Sequence, residues 1–535
     1  MAFRLALLGA PPASATTAAL SKQGTPWSCP SSRKISFQTR AGKVLFTDSL
    51  LTQNGRFLIL YSTSGGDAVP LGDEDGNMVP DFVQAVAEAL EQSYAVEIEG
   101  LGFTPPPNLE PWRQPYRVRL RELGTTRGVT VAQGRDPEAP VQHYLSSHME
   151  LDNDFVSPQE HLAVAEAIRA TAAHEFFHAI QLGYVSRLIT VDGFFSELSA
   201  LWMEEQVFPG LGDYRHYLDD FFTAPDIPLN AVSLTVPRII NHMYGACLFA
   251  FFLEERFGRD VIRQVWQRMV DEPALEAIHS VCRAHGSSFE EEFVRFSLWN
   301  YLTGARAVAG FGYKAAATFP EVATANDTLL GDYMERGGSA YFLTTSYLPF
   351  RISAAGSFRI SIAGATPEHW VLAAVTAGPG DLRTFLAAPG QGITVDNLTP
   401  AHTLTVIACN VDRSVSLRML YFKEKPEEYG VFVQRVITGD HPRSQAPFVV
   451  LSAHPNPFSQ SVTFRVRREV RLPLLLQVVD VGGRTVDTVA LSLPGTGVHE
   501  VTWPLSAPLT AAPGVYFCRF SCPSHMQTVK VTFRR

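Results

Sequence analysis

The sequence predicts a multidomain chain: an α+β region, mainly helical between residues 157 and 305, followed by two all-β sandwich domains. Three observations predict this. A chain of 535 residues is too long for one compact core. Helical periodicity dominates the middle of the chain, and short alternating strands between Gly, Pro and Asn turns follow from about residue 335. The expected divisions are a leader at 1–42, an α+β domain at 43–310, and β-sandwich domains at 311–440 and 441–535.

Composition limits the class of protein. Hydrophobic residues make up 46% of the chain and charged residues 18%, as in folded globular proteins. The formal net charge of −9 argues against a nucleic-acid binder, which needs a basic face. No apolar run is long enough for a transmembrane segment. The six cysteines are scattered without a CxxC pair, so they predict neither a zinc knuckle nor a dense disulfide framework.

The N-terminal leader has two interpretations. Residues 1–42 are rich in Ser, Thr, Pro and Ala, which predicts poor order. The first twenty residues contain one arginine, a short apolar stretch and small residues, as a weak signal peptide would. The alternative to a secretory signal is a disordered leader or a misassigned start.

A long helix is predicted over "VSPQEHLAVAEAIRATAAHEFFHAIQLGY". Ser157 is suited to the N-cap, Pro158 to the first helical position and Glu160 to a capping box. Gly183 is a plausible end. A second helix, "GFFSELSALWMEEQVF", ends before Pro209.

The first of these helices carries a metal-binding pattern. His174 and His178 are four residues apart, so they project from one helix face, and Glu175 lies beside them. This HExxH arrangement supplies two zinc ligands and a general base. The alternative is a helix with buried, satisfied polar groups, which is costly in an apolar core without a metal. Ordinary helix or core positions are predicted for Phe176, Phe177 and Gln181.

A catalytic zinc site needs a third protein ligand. Glu197 lies in the next helix, and the 18 residues between His178 and Glu197 allow that helix to return beside the first. Glu204 is seven residues further on, two turns along the same face, and either supports a histidine or exchanges roles with Glu197. Glu205 is predicted to be a solvated charge.

The pattern HExxH, gap, glutamate resembles the gluzincin class of metallopeptidases, which implies a zincin-like fold. The metzincin pattern needs a third histidine soon after His178, and none is present. The segments "HEFFHAIQ…FFSELSALWMEEQVFPG" and "HMYGACLFAFFLEERFG" narrow the resemblance to a family of secreted bacterial zinc metalloproteases with β-rich C-terminal domains. It covers residues 45–310. It implies peptide-bond hydrolysis, with a zinc-bound water activated by Glu175 and a protein or peptide substrate.

The match to thermolysin-like enzymes is incomplete. They carry an aspartate four residues after the glutamate ligand, where this chain has Leu201, so Glu204 would have to orient a histidine instead. For oxyanion stabilisation, "NHMYGA" offers Tyr244, as in aminopeptidase-like gluzincins, and His242, as in thermolysin-like ones. Tyr244 is the preferred candidate, with an ordinary core tyrosine as the alternative.

A second ion site is considered in "DEDGNMVPD". Asp73, Asp75, Asn77 and Asp81 fall at positions 1, 3, 5 and 9 of a calcium-type loop. The EF-hand glycine at position 6 and glutamate at position 12 are absent. The two interpretations are a short Ca²⁺ loop and an Asx-rich turn that caps the next helix.

The C-terminal segment has its own pattern. "PNPF", "VVDVGGRTV", "GVHEVTWP" and "PGVYFCRF" describe strands joined by tight turns. Over roughly 85 residues the series resembles Ig-like C-terminal domains of secreted bacterial proteins, including type IX secretion sorting domains. This implies a secreted or cell-surface protein that contacts secretion machinery or the cell surface, with a passive adhesion or spacer module as the alternative. For the whole chain, the rival to a metallopeptidase is a catalytically inactive, peptidase-like binding protein with Ig-like modules; a zinc hydrolase of non-peptide amides is a further rival.

Overall fold

A computed structural model describes most of the chain, which divides into two compact units. The first comprises residues 1–355 and 362–434, and the second residues 356–361 and 435–535. Residues 6–7 are the only part of the predicted leader within the described structure, so its predicted disorder lies outside it. The described ranges are 6–7, 46–107, 115–135, 145–157, 160–185, 192–233, 235–364, 366–414, 426–436, 447–468, 473–480, 485–491, 493–504, 512–522 and 525–534.

The first unit begins with a mixed six-stranded sheet. Its strands are β1 (Ala6–Leu7), β2 (Asp48–Leu51), β3 (Phe57–Tyr61), β4 (Tyr116–Arg121), β5 (Gly128–Arg135) and β6 (Leu145–Asp152). They lie in the order β1-β5-β6-β4-β3-β2, with β5 antiparallel to β6 and β3, β4 and β6 parallel. Alternate residues of β4 are buried, as the period of two in "YRVRLR" predicts.

Nine α-helices follow or flank this sheet in the described residues. They are α1 (Asp81–Tyr94), α2 (Val164–Tyr184), α3 (Gly193–Val207), α4 (Leu218–Thr223), α5 (Pro237–Gly245), α6 (Leu248–Phe257), α7 (Val261–Arg268), α8 (Ala274–Ala284) and α9 (Phe289–Tyr301). A π-helical turn, Ala95–Gly100, continues α1. Helix α2 packs against α1, α3, β5 and β6, which explains why most of its surface is buried. No helix in the described part of the chain is both long and apolar enough to span a membrane.

The predicted start of the metal-binding helix is wrong. Helix α2 begins at Val164, and Glu166 accepts a hydrogen bond from the Ala163 amide (3.1 Å), closing the first turn. Glu160 does not form the predicted capping box with Ser157, because its carboxylate accepts hydrogen bonds from the buried Arg127 guanidinium instead. A buried guanidinium needs paired anions, and this requirement outweighs a local cap. Pro158 lies outside the described residues.

The remainder of the first unit is strand-rich. Its strands are β7 (Thr328–Leu330), β8 (Tyr333–Ala340), β9 (Thr344–Ile352), β10 (Gly356–Gly364, whose first six residues belong to the second unit), β11 (Trp370–Gly378), β12 (Asp381–Leu386), β13 (Ile393–Leu398), β14 (Thr403–Asn410) and β15 (Glu427–Val436, whose last two residues belong to the second unit). One sheet has the order β12-β11-β14-β9-β7, and β8 pairs antiparallel with β15. Helix α9 packs on β11 and β14, so one hydrophobic core continues from the helices into these strands.

The second unit is a sandwich-like β region, as predicted for the C-terminus. Its strands are β16 (Phe448–His454), β17 (Val462–Arg468), β18 (Leu474–Asp480), β19 (Thr485–Leu491), β20 (Gly497–Trp503), β21 (Gly514–Cys522) and β22 (His525–Phe533). They form two antiparallel sheets, β16-β17-β20 and β19-β18-β21-β22. Aromatic side chains fill the core; Phe464 and Phe520 meet edge to face at 5.0 Å.

Candidate metal centre

Helices α2 and α3 bring the predicted metal ligands together. His174 and His178 are buried at 0% and 3% exposure, and the Glu197 side chain retains 13%. Their ligand atoms all lie within 4.8 Å of one another. The burial follows from the position of α2 between two helices and the sheet.

The spacing of the three side chains suits an ion better than direct hydrogen bonds. His174 Nε2 lies 3.5 Å from Glu197 Oε2, and His178 Nε2 lies 3.7 Å from Glu197 Oε1. N–H···O hydrogen bonds are shorter, about 2.7–3.2 Å. Ligands at zinc bond lengths of about 2.0–2.2 Å in a tetrahedron are about 3.4 Å apart. We call His174, His178 and Glu197 the ligand triad.

Glu204 contacts the opposite nitrogen of His174. Its Oε1 lies 2.8 Å from His174 Nδ1, so it can orient the imidazole but not share the position facing Glu197. Of the two roles left open for Glu204, the geometry therefore favours support of a histidine. Burial, followed by the charge of Asp213, raises the pKa of Glu204 to about 8, with His174 opposing.

The electrostatics of the triad favour added positive charge. Burial raises the pKa of Glu197, but the neighbouring His178 and His174 lower it overall to about 2. Burial lowers the pKa of His174, while Glu197 and Glu204 raise it overall to about 10. Three carboxylates, counting Glu175, surround two imidazoles at low exposure. Protons or a divalent cation compensate such a charge.

Glu175 is held against the sheet. Thr130 Oγ1 lies 2.7 Å from its Oε2, and the other oxygen, Oε1, is buried without a donor among the described residues. Burial raises the pKa of Glu175, and the two histidines oppose that shift. A Cβ atom at Gly128 would lie 2.7 Å from Thr171 Cγ2 and 2.9 Å from Glu175 Cγ, so a larger residue at this strand position would displace these side chains. Sequence reasoning missed both Thr130 and Gly128, because no local pattern connects β5 to α2.

Gln181 is not the ordinary helix position that the sequence predicts. Its Oε1 lies 2.7 Å from His178 Nδ1, and the side chain is fully buried. The spacing of three residues on one helix could have suggested this contact.

The two oxyanion candidates lie in different places. His242 packs against Phe221 (ring centroids 5.0 Å apart) and lines a separate cavity with Phe293 and Phe296. Burial lowers its pKa to about 3. No member of the ligand triad lines this cavity, and the oxyanion role of His242 stays a prediction. Tyr244 is fully buried beside Tyr217, with ring centroids 5.0 Å apart, and its role stays a prediction.

The acidic loop before α1 brings three of its four predicted ligands together. Carboxylate oxygens of Asp73, Asp75 and Asp81 lie within 4.8 Å of one another. Asn77 instead donates its side-chain amide to Asp75 (2.8 Å). Backbone amides of the loop already donate to these carboxylates, as in an Asx-rich turn. Calcium binding stays a prediction.

The chain was compared with models of known protein families. Residues 30–307, just over half of its length, match a family of unknown function, DUF6055. The chain belongs to the DUF6055 family. The matched range contains the ligand triad, Glu175 and Glu204, and it ends six residues after α9. None of the curated proteins matches the sequence.

Solved structures match only parts of this DUF6055 protein. A GH2 β-galacturonidase from Eisenbergiella tayi, bound to galacturonate, is 16% identical over 38% of this chain and 36% of its own, with a TM-score of 0.14. A Faecalibacterium prausnitzii β-glucuronidase is 12% identical over 38% and 37%, with a TM-score of 0.13. The extracellular region of zebrafish Gpr126/Adgrg6 is 11% identical over 39% and 31%, also at 0.13. The chain spans about a third of each, and we infer neither fold nor activity from them.

Proposed function

We propose that this DUF6055 protein is a zinc-dependent peptide hydrolase with a gluzincin-type, zincin-like site, secreted or attached to the cell surface through its C-terminal domain. One observation carries the proposal. His174, His178 and Glu197 converge at separations of 3.5 and 3.7 Å, with Glu175 next to the first histidine. The Ig-like resemblance of the C-terminal unit supports the surface location, and its sandwich-like strands agree with it.

The donor set suits zinc. Two imidazole nitrogens and one carboxylate are ligands that zinc accepts, and catalytic zinc sites have three protein ligands. Calcium and magnesium prefer oxygen ligands. Glu197 Oε2 is buried without a hydrogen-bond donor among the described residues, which an ion at the triad would correct.

The side chains around the triad have distinct roles. Zn²⁺, when bound, polarises a carbonyl group and lowers the pKa of a water molecule. Glu175 accepts a proton at its donor-free Oε1 and passes it to the leaving amine. The Thr130 hydroxyl, which lies 2.7 Å from Oε2 and 2.8 Å from the Glu175 carbonyl oxygen, helps to hold Glu175 in place. Glu204 holds the His174 imidazole through Nδ1. Tyr244 is the proposed donor to the oxyanion.

Burial favours a second candidate. Glu175 is 1% exposed and His174 is fully buried, and closed coordination is typical of structural zinc sites. The second candidate is therefore a catalytically inactive, peptidase-like binding protein in which the same triad holds a structural ion. The two candidates differ in whether Glu175 is needed for any reaction.

Glu175→Gln tests the proposal. Metal content of the full chain and hydrolysis of fluorescein-labelled casein are measured for wild type, Glu175→Gln and a matched control, Glu166→Gln, at an exposed position of the same helix. We expect one zinc per chain in all three proteins and a loss of about 10²- to 10⁴-fold in kcat for Glu175→Gln alone. Zinc without Glu175-dependent hydrolysis would favour the binding protein, and absence of zinc would overturn both candidates.

A further inference from the structure

We propose that Gln181, fixed by Ser196 and Ser199, is a positioning residue that sets the tautomer and orientation of His178 as a metal ligand. The inference rests on the proposed metal centre. The hydrogen bonds of the Gln181 side chain in the described structure go to His178, Ser196 and Ser199, so it acts through the nitrogen of His178 that faces away from Glu197.

The two ring nitrogens of His178 have different neighbours. Nδ1 lies 2.7 Å from Gln181 Oε1 and 3.3 Å from Ser196 Oγ. Nε2 faces Glu197 at 3.7 Å. A neutral imidazole carries one proton, so whichever nitrogen holds it decides whether Nε2 can bind a metal.

The orientation of the Gln181 amide follows from α3. Gln181 Nε2 donates to the Ser196 carbonyl (3.0 Å) and lies 3.3 Å from Ser199 Oγ, which the indole of Trp266 also approaches at 3.3 Å. Because a carbonyl only accepts, the NH₂ group has to face α3, and Oε1 has to face His178. Ser196 Oγ also donates to this Oε1 at 2.5 Å.

This orientation fixes the proton on His178. An amide oxygen only accepts, so Nδ1 is the donor and Nε2 presents its lone pair toward Glu197. Gln181 is fully buried, so water does not readily replace it. The hydrogen bonds of Gln181 therefore join α2, which carries both histidines, to the turn of α3 that carries Glu197.

The two histidines are supported differently. His174 donates to the carboxylate of Glu204, whereas His178 donates to a neutral amide. A carboxyl group in place of the Gln181 amide would be the fourth around the triad, beside those of Glu175, Glu197 and Glu204. Gln181 therefore orients His178 without further like-charge repulsion.

Metal affinity tests this role without any assay of activity. The full-length protein, stripped of metal, is titrated with zinc against a chromogenic chelator, and the visible absorption spectrum of the Co²⁺ form is recorded. Loss of a partner behind a metal-bound histidine typically costs about 10- to 100-fold in affinity. We expect that loss and an altered Co²⁺ spectrum for Gln181→Leu, and a smaller loss for Ser196→Ala. Gln181→Glu, which keeps an acceptor for Nδ1, should restore affinity to within about tenfold of wild type.

Gln206→Leu is the matched control. Gln206 is a half-buried glutamine on α3 that contacts Glu254 and Arg259, and its removal should leave zinc affinity unchanged. Wild-type affinity and spectrum in a folded Gln181→Leu protein would overturn the role of Gln181 and leave the hydrolase proposal intact. If Gln181→Leu does not fold, unchanged affinity in Ser196→Ala would overturn it.

Zinc binding and casein hydrolysis by the wild type distinguish the positioning role of Gln181 from the hydrolase proposal. Zinc binding that depends on Gln181, in a protein that does not hydrolyse casein, would support the positioning role and refute the hydrolase. A wild type that binds no zinc would overturn both.

Discussion

Among the described residues, two groups of side chains have ligand atoms within 4.8 Å of one another, and they differ in environment. The ligand triad lies between α2 and α3 at low exposure, and Glu197 Oε2 and Glu175 Oε1 have no donor among the described residues. Asp73, Asp75 and Asp81 are in a largely exposed loop.

The two groups differ in the hydrogen-bond donors that already contact their carboxylate oxygens. In the loop, the amides of Met78 and Glu74 donate to Asp73 and Asp81, at 2.9 and 3.1 Å. The loop carboxylates thus accept hydrogen bonds without an ion, whereas Glu197 Oε2 faces His174 Nε2 at 3.5 Å and has no donor among the described residues. Proximity of acidic groups alone therefore identifies an ion site less well than burial with unfilled hydrogen-bonding capacity.

Removing one member of each cluster gives the largest expected contrast. His174→Ala should weaken zinc binding by more than the roughly 100-fold that loss of an outer partner costs, because it removes a ligand. Asp75→Asn should leave zinc affinity within error of wild type. Calorimetric titration of the metal-free full chain with zinc, and separately with calcium, measures both.

Two results would break this comparison. Zinc affinity that survives His174→Ala would place the ion elsewhere. Calcium binding that disappears in Asp75→Asn would make the loop an ion site in spite of its internal hydrogen bonds.

Within the buried cluster, Glu204 allows a residue that supports a ligand to be compared with a ligand itself. Because its carboxylate contacts only the Nδ1 side of His174, Glu204→Gln should lower zinc affinity by about 10- to 100-fold and keep zinc bound at high concentration. Glu205→Gln is the control: that neighbouring carboxylate accepts hydrogen bonds from the amides of Gly210 and Gly212. A loss with Glu204→Gln as large as that with His174→Ala would instead indicate that Glu204 is a ligand.

The sequence predicted those parts of the site that depend on helical spacing. His174 and His178 share a face because of their separation by four residues, and Glu197 follows after a gap that allows a second helix to pack beside the first. The strand-rich C-terminal sandwich follows from alternation and turns in the same way.

Long-range pairing explains what the sequence missed. Helix α2 begins later than predicted because the Glu160 carboxylate binds Arg127, which lies 33 residues earlier in the chain. Asp213, 86 residues after Arg127, binds the same guanidinium group. Thr130 reaches Glu175 across 45 residues through the packing of β5 on α2. Rules for caps and periodicity contain no term for such contacts.

Glu97 shows the effect of burial on the pKa of a carboxyl group in the absence of neighbouring imidazoles. Its substitution gives the smallest expected effect of the predictions made for this protein. Glu97 is fully buried, whereas the Glu197 side chain retains 13% exposure, and in the described structure neither carboxyl oxygen of Glu97 has a hydrogen-bond partner. Burial raises the pKa of Glu97 well above 4.5, whereas the histidines lower that of Glu197. A carboxyl whose pKa is raised on folding contributes its full stability below the unfolded pKa, and this stability is lost as the pH rises toward the folded value.

The free energy of unfolding of Glu97→Met should therefore exceed that of wild type at pH 8, by about 1–3 kcal/mol, and the difference should shrink toward pH 5. Urea unfolding of the full chain at both pH values measures it, and the surface variant Glu88→Met corrects for the added apolar side chain. An equal difference at the two pH values would mean that folding does not raise the pKa of Glu97, because the folded and unfolded chains would then bind the same number of protons over this range. Burial alone would then not keep a carboxyl neutral, and the ionised state of Glu197 would not require the two histidines or an ion that they bind.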